Sequence, residues 1–433
     1  MFKFDIIIDE FPKDRELKTK RRKAARGVIF YQGKLLMVKT SMGDYKFPGG
    51  GIAKGEDGNL ALKREIEEET GYTDVTVGPL LGQAFEQNSD IFYENIMFQM
   101  DSDYYLCFLN SLETKAQKLE GYESDLEFTP VFVSVGEAYE SNRSLLDNKK
   151  GLVLECSNVK GMTVNEWAMR ETTALKYLLE SYVDKILPEI YVCGQMMKNA
   201  DRSVLEVDDK AGHANFVTNY DKMIQGELKK RLLAVYPGAL FIGEEDDSEA
   251  SDSDIESDRF AFIVDPIDGT TNFMKDYRQS CISVGLTYGG ELVAGVVYKP
   301  YSEEMICAEK GKGAFCNGKP IHVSNSDLDH ALVSFGTAPY YEELRRKSFE
   351  KAEEFCARCI DVRRSGSAAI DLCNVAQGRV DLYFEYRICP WDIAAGSIIV
   401  TEAGGKISQT DGRPITLKEK CSILATNGIT TMI

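Results

Sequence analysis

Short runs rich in β-branched and aromatic residues, separated by polar loops, make the first third of the chain strand-forming. They predict strands over residues 27–31 and 34–39, joined by a turn at Gln32-Gly33, and again over 75–77, 104–109 and 130–135. Between them the period changes. From Asn59 to Thr70 apolar residues recur at helical spacing, and Gly71 closes that helix. Residues 167–180 repeat the helical pattern with Leu175, Leu178 and Leu179 on one side, and residues 182–199 are helical after a very short polar interval. A domain boundary is therefore expected near Glu180, without a Gly/Ser or Pro-rich linker, where Pro188 kinks or restarts a nearly continuous helix.

In the second half, residues 260–264 form an uninterrupted apolar run before Asp265, which predicts a buried strand delivering an Asp-Pro-Ile-Asp loop at its carboxyl end. Gly289-Gly290 separates two strand-like runs, 283–287 and 292–298, as in a hairpin. Residues 365–377 and 392–403 read as helices, and the acidic, Ser-rich stretch 246–258 as a solvated loop. No internal repeat relates the halves.

At 433 residues and 48.4 kDa the chain exceeds what one core usually serves, so two domains are expected, residues 1–180 and 181–433. A net charge of −18 disfavours nucleic acid as a partner but leaves small phosphates bridged by divalent cations compatible. No apolar run approaches the roughly 20 residues of a membrane span. The opening residues, interrupted by Lys3 and Asp5, do not resemble a signal peptide, so a cytoplasmic protein with no membrane partner is expected. The eleven cysteines are read as reduced thiols in cores, and Cys356-Ala-Arg-Cys359 as helix packing instead of a zinc or redox site.

Against this background two sets of acids stand out. The first is Gly50-x5-Glu56-x7-Arg64-Glu65-Ile66-x-Glu68-Glu69-x-Gly71-Tyr72. Glu65, Glu68 and Glu69 fall at i, i+3 and i+4, which stacks three carboxylates on one helical face beside an apolar stripe of Leu62 and Ile66. Such neighbours repel unless a cation offsets them, and oxygen-only ligands favour Mg²⁺ or Mn²⁺ over zinc. Asp57 is placed to cap the helix. The pattern resembles the Nudix hydrolases at every fixed position. That resemblance implies an α/β/α sandwich, with Glu68 and Glu69 as principal metal ligands and Glu65 and Glu56 assisting. It also places Glu65 in the catalytic set, makes Arg64 a carboxylate-orienting residue, and closes the Gly49 to Gly51 backbone against a diphosphate. Glu120, Glu123 and Glu127 are candidate general bases, though each reads better as an exposed loop acid. Nothing from Gly78 to Lys160 identifies a base or sugar.

The second set, Glu244, Asp265, Asp268 and Asp392, is scattered in sequence, but each member lies at an expected strand end or helix start. It comes with Asn215-Phe-Val-Thr218-x-x-Asp221, Phe241-Ile-Gly-Glu-Glu245, Asp265-Pro-Ile-Asp268-Gly-Thr-Thr-Asn-Phe273, Gly366-Ser-Ala-Ala369 and Trp391-Asp-Ile-Ala-Ala-Gly396. From Tyr182 to Thr426 the chain resembles the inositol monophosphatase family, which implies an αβαβα layered sandwich. By that resemblance Glu244, Asp265 and the Ile267 carbonyl hold one Mg²⁺, and Asp265, Asp268 and Asp392 a second. Glu244 and the Thr270 hydroxyl would orient and deprotonate the attacking water. Asp268, Gly269, Thr270, Gly366, Ser367 and Ala368 would border the phosphate, with backbone N–H groups supplied by the loop and by a helix start. Lys210 matches the family's mobile-loop lysine. Glu385 matches the acid that binds an inositol hydroxyl, and Thr271-Asn272 stands where nucleotide phosphatases carry Lys-Glu.

Both chemistries attack phosphorus. The leading expectation is a bifunctional Mg²⁺-dependent hydrolase, one half cleaving a nucleoside diphosphate linked to another moiety and the other a polyol or sugar phosphomonoester. One alternative is a phosphatase regulated by a non-catalytic nucleotide-sensing Nudix half. Another is a second half that acts as a fructose-1,6-bisphosphatase or 3′-phosphonucleotide phosphatase. The resemblance also implies lithium inhibition and a homodimer.

Overall fold

The computed structural model describes all residues except 1, 8–17, 32, 90–95, 149–152, 157–158, 210–215, 247–257, 340 and 433, with the side chains of 153–167, 208, 209 and 216 likewise outside the description. The acidic loop expected over 246–258 therefore falls almost wholly outside the described residues, as does Gln32 of the expected turn. The chain divides into two compact units, residues 1–184 and 185–433.

The first unit is built on a seven-stranded sheet, ordered Phe2–Ile7, Val75–Ser89, Ile96–Leu109, Lys18–Tyr31, Lys34–Lys39 and Tyr45–Lys46, with Thr129–Val133 also pairing to Lys34–Lys39. Helix Gly58–Thr70 begins at Asp57, whose carboxylate accepts from the N–H groups of Asn59 and Leu60, and ends at Gly71 with φ 80°. Its buried Leu62 and Ile66 pack with Ile29, Leu36 and Cys107 on one sheet face. On the opposite face Tyr104 meets Phe2, which stacks on Tyr177 of helix Val164–Glu180. Because Tyr104 and Tyr105 point to opposite sides of one strand, the sheet is covered on both faces, the expected α/β/α sandwich.

Several strands are longer than expected. Lys18–Tyr31 gains an exposed basic half, residues 18–23, that pairs in parallel with Ile96–Leu109 and carries no apolar signal. Val75–Ser89 continues past Gly78-Pro79 because register irregularities absorb them. Of the three leucines expected on one side of the helix, Leu175 and Leu178 are buried but Leu179 is exposed. Residues 181–186 form turns instead of helix, and helix Leu187–Lys198 starts with Pro188 in its first turn, where a missing N–H costs nothing.

The second unit has five layers. Helices Leu187–Lys198 and Asn219–Val235 cover one face of a seven-stranded sheet, ordered Leu240–Gly243, Phe260–Asp268, Cys281–Tyr288, Glu291–Lys299, Glu304–Glu309, Gly313–Cys316 and Lys319–Ile321. Helices Ala368–Ala376 and Pro390–Glu402 fill the middle. Their buried Leu372, Cys373, Ile393 and Ile399 join that sheet to a five-stranded one, ordered Asp361–Arg363, Leu332–Phe335, Leu382–Ile388, Cys421–Thr426 and Lys406–Ser408. Helix Glu342–Cys356 seals the far face through Phe355, giving the expected αβαβα order. The hairpin turns at Gly289 and Gly290, both at positive φ.

Among the described residues ten cysteines are free thiols and most are buried. Cys356 departs from expectation: it ends its helix exposed, and only Cys359 packs partly against the neighbouring core. No described helix is long and apolar enough to cross a membrane.

Candidate active sites

In the second unit, five chain segments bring acids to one cavity of about 510 Å³. The expectation of a loop carrying Asp265 and Asp268 is corrected: strand Phe260–Asp268 runs through both acids, with its register broken between them. That irregularity accommodates Pro266, which has no N–H to give a ladder, and leaves both carboxylates buried on one side. Asp265 accepts from the Ile267 N–H at 2.9 Å, which fixes its carboxylate. Asp392 lies in the first turn of helix Pro390–Glu402 and accepts from the Cys389 N–H at 3.0 Å, so the N-cap is Cys389. Carboxylate oxygens of Asp265, Asp268 and Asp392 all lie within 4.8 Å of one another. Glu244, half-buried just beyond strand Leu240–Gly243, lines the same cavity.

The Ser367 hydroxyl and the Ala369 N–H donate to one oxygen of Asp268 at 2.6 and 2.7 Å. The Ser367 N–H turns to Ser365 Oγ at 3.0 Å. The helix start expected to face phosphate thus also serves Asp268, while Gly366, Ser367 and Ala368 still line the cavity with Gly269 and Thr270. The expected helix over 365–377 shortens to Ala368–Ala376 because Ser367 is the extended N-cap. Thr270 Oγ1 lies 3.1 Å from the Ile267 carbonyl and 3.3 Å from Asp221 Oδ1. Asp221 is buried, and the sequence had suggested no role for it. Glu385 also faces the cavity, accepting from the Ala338 N–H at 2.9 Å and from the Tyr383 hydroxyl at 2.8 Å. Lys210 lies outside the described residues.

Burial first, then repulsion from Glu244 and the other aspartates, pushes Asp265 well above the usual carboxylate range. Asp392 is raised by burial and by Asp268 and Glu244. Asp268 rises to about 6, burial outweighing its bonds from Ser367 and Ala369. Asp371, another acid missed in the sequence, is driven by burial to about 7 beside Ser365, whose hydroxyl lies 2.7 Å away. Buried carboxylates this close oppose one another's ionisation unless cations offset them, and an all-oxygen set fits hard divalent ions.

In the first unit the Nudix-like acids split into two groups. Glu65 and Glu69 converge with Glu123, ligand oxygens again within 4.8 Å, while Arg64 holds Glu56 at 3.2 Å, Glu65 at 2.9 Å and Glu68 at 3.0 Å. Glu123 corrects the expectation of an exposed loop acid: it is half-buried on the short helix Tyr122–Asp125, whereas Glu120 and Glu127 are exposed as expected. Glu69 is buried, accepts from the Gly49 N–H at 2.8 Å and is pushed by burial to about 8. Lys46, also missed, is buried over the Tyr122 and Phe128 rings and lowers the cost of charge on Glu69. A β-carbon at Gly50 would meet the Glu65 carboxylate where that carboxylate now sits.

Comparison with known proteins places a known family over each half of the chain. The inositol monophosphatase family description matches residues 181–432, and the NUDIX domain description matches residues 20–152. Inositol monophosphatase 2 of Solanum lycopersicum is 35% identical over 252 residues, which is 58% of this chain and 94% of the tomato protein. Inositol monophosphatase 1 of Homo sapiens is 35% identical over 239 residues, 54% of this chain and 86% of the human protein. Among solved structures, the Thermotoga maritima IMPase superimposes with a TM-score of 0.51 at 32% identity, covering 57% of this chain and 92% of its own. Families of both kinds are generally dependent on divalent metals. The chain therefore belongs to the inositol monophosphatase family, carries a NUDIX domain ahead of the family's domain, and is a hydrolase with phosphatase activity.

Proposed function

We propose that the second unit hydrolyses a phosphomonoester of inositol or a related polyol with Mg²⁺, and that the first unit cleaves a nucleoside diphosphate linked to another moiety. The observation that carries the phosphatase reading is the convergence of Asp265, Asp268 and Asp392 in one cavity with Glu385. In this reading Glu244, Asp265 and the Ile267 carbonyl hold one cation, and Asp265, Asp268 and Asp392 a second. Two such cations would neutralise phosphate, lower the pKa of water and stabilise the departing alkoxide.

The chain's own groups do the rest. Thr270 Oγ1, steered by Asp221, orients the attacking water, and Glu244 takes its proton. Backbone N–H groups of Gly269, Thr270 and Gly366 receive phosphate oxygens, and Glu385 accepts a hydrogen bond from a polyol hydroxyl. Lys210 is assigned to the substrate through the resemblance alone. In the first unit Glu56, Glu65, Glu68 and Glu69 would hold Mg²⁺ or Mn²⁺ for diphosphate cleavage, and Arg64 orders three of them.

Phosphate release from a panel of inositol, sugar and nucleotide monophosphates tests the reading. Preference for polyol phosphates, lost selectively in Glu385→Ala, supports it. Equal turnover of nucleotide monophosphates would refute it.

A further inference from the structure

The cavity wall above the acids carries cations that this chemistry leaves without a task. Arg364 and Arg387 are exposed and line the cavity. Among the described residues no carboxylate forms an ion pair with either, in a chain where 69 acidic residues outnumber 51 basic ones. The neighbour of Arg364 behaves differently: Arg363 is bound to Asp361. Arg364 lies within electrostatic range of Glu385. The Arg387 guanidinium sits 4.6 Å above the Tyr341 ring, which also lines the cavity. Stacking on an aromatic face fixes a guanidinium while leaving its N–H edge open to an anion. In the proposed reading the cleaved phosphate does not need these groups, because the Asp265 cluster, with the cations it would hold, and the Gly269 and Gly366 backbone would receive it. A volume of about 510 Å³ is within the size of sites that enclose a whole small ligand, so a substrate can reach from the acids to the arginines.

We propose that Arg364 and Arg387 form a second anion subsite, and that the preferred substrate is a polyol phosphate bearing a further anionic group, a second phosphate or a carboxylate. The proposal rests on the polyol phosphatase reading and specifies its substrate class. The planar fork of arginine suits either anion through paired N–H···O bonds.

The test uses the full chain with Mg²⁺ and non-hydrolysable phosphonate analogues: one polyol monophosphonate and a set of bisphosphonates of that polyol differing in spacing. Calorimetry compares their affinities in the wild type and in the double variant Arg364→Gln, Arg387→Gln. At least one bisphosphonate should bind the wild type roughly tenfold or more tighter than the monophosphonate, and the variant should bring that ratio close to one. A ratio that is the same in both proteins, or no discrimination by the wild type, overturns the subsite. If inorganic phosphate affinity falls in the variant while the ratio stays fixed, the arginines hold free phosphate and the substrate assignment fails. Turnover of inositol monophosphate is measured separately. Its absence would defeat the phosphatase reading while the affinity ratio still decides the subsite.

Discussion

The Ser367 hydroxyl donates a 2.6 Å hydrogen bond to Asp268, tying the start of a middle-layer helix to a strand of the larger sheet. One oxygen of Asp268 is thereby oriented by Ser367 and by the Ala369 N–H, leaving the other for a cation. Groups that orient metal ligands typically govern roughly 10–100-fold of affinity or activity. Ser367→Ala is therefore expected to raise the Mg²⁺ concentration for half-maximal phosphate release by about tenfold or more. An unchanged Mg²⁺ titration would show that Asp268 needs no such support.

Thr270 and Asp221 make a second pair, 3.3 Å apart. If this pair orients water for attack, Thr270→Ala should lower kcat roughly 100-fold with KM nearly constant. Asp221→Asn should do the same less severely, since the amide oxygen can still accept from the Thr218 N–H that Asp221 now binds at 2.8 Å. A change confined to KM would assign the pair to substrate binding.

In the first unit Glu68 is half exposed and held by Arg64, so Glu68→Gln should cost little stability. Its expected effect is a loss of at least about tenfold in Mn²⁺ affinity and in cleavage of nucleoside diphosphate substrates, with phosphate release by the second unit retained. Intact diphosphate cleavage would remove Glu68 from the ligand set. A wild-type chain with no such cleavage, whose phosphatase responds to nucleotide, would favour the sensing alternative.

Asp371 supplies a pH prediction. Its pKa in the folded chain, about 7, lies above its ordinary value of 3.8. The unfolded chain releases this proton first, so the stabilisation is complete below the ordinary value and is lost as pH rises through about 7. Metal-free protein should unfold at lower temperature at alkaline than at acidic pH, by an amount reflecting on the order of a few kcal/mol. Calorimetry at pH values either side of that window tests it, and a transition that sharpens and rises with pH would contradict it. Glu69, pushed to about 8, shifts the same way in the first unit, where added Mg²⁺ should offset the loss.

The sequence carried the layers and most of the acids, because both are written in residue type and spacing. The helix that carries Glu65, Glu68 and Glu69, capped by Asp57 and Gly71, is a local pattern and forms as expected, although Glu68 turns to Arg64 while Glu65 and Glu69 meet Glu123. What the spacing could not carry was long-range partnership. Glu123 joins Glu65 and Glu69 only because a short helix folds back across the unit. Lys46, buried over the Tyr122 and Phe128 rings, lies between the expected strand 34–39 and helix 59–70 and carries no local signal of its burial. Asp371 sits in an apolar helix where one acid reads as an exposed position, yet the two-sheet packing buries it. Only the folded chain shows why a glycine stands at 336, where a β-carbon would meet the Glu385 carboxylate. Strand lengths were missed where solvent-facing residues 18–23 lack apolar periodicity, and where an irregularity lets Asp265 and Asp268 remain in a strand despite Pro266.

The most direct measurement is Mg²⁺-dependent phosphate release from inositol monophosphate by wild-type protein and Asp265→Asn, with nucleoside diphosphate cleavage followed in the same samples. Asp265 touches both proposed cation positions, so its amide variant should lose phosphatase activity at every Mg²⁺ concentration while the first unit's reaction continues. Substantial phosphate release by folded Asp265→Asn would contradict the two-cation site on which the account depends.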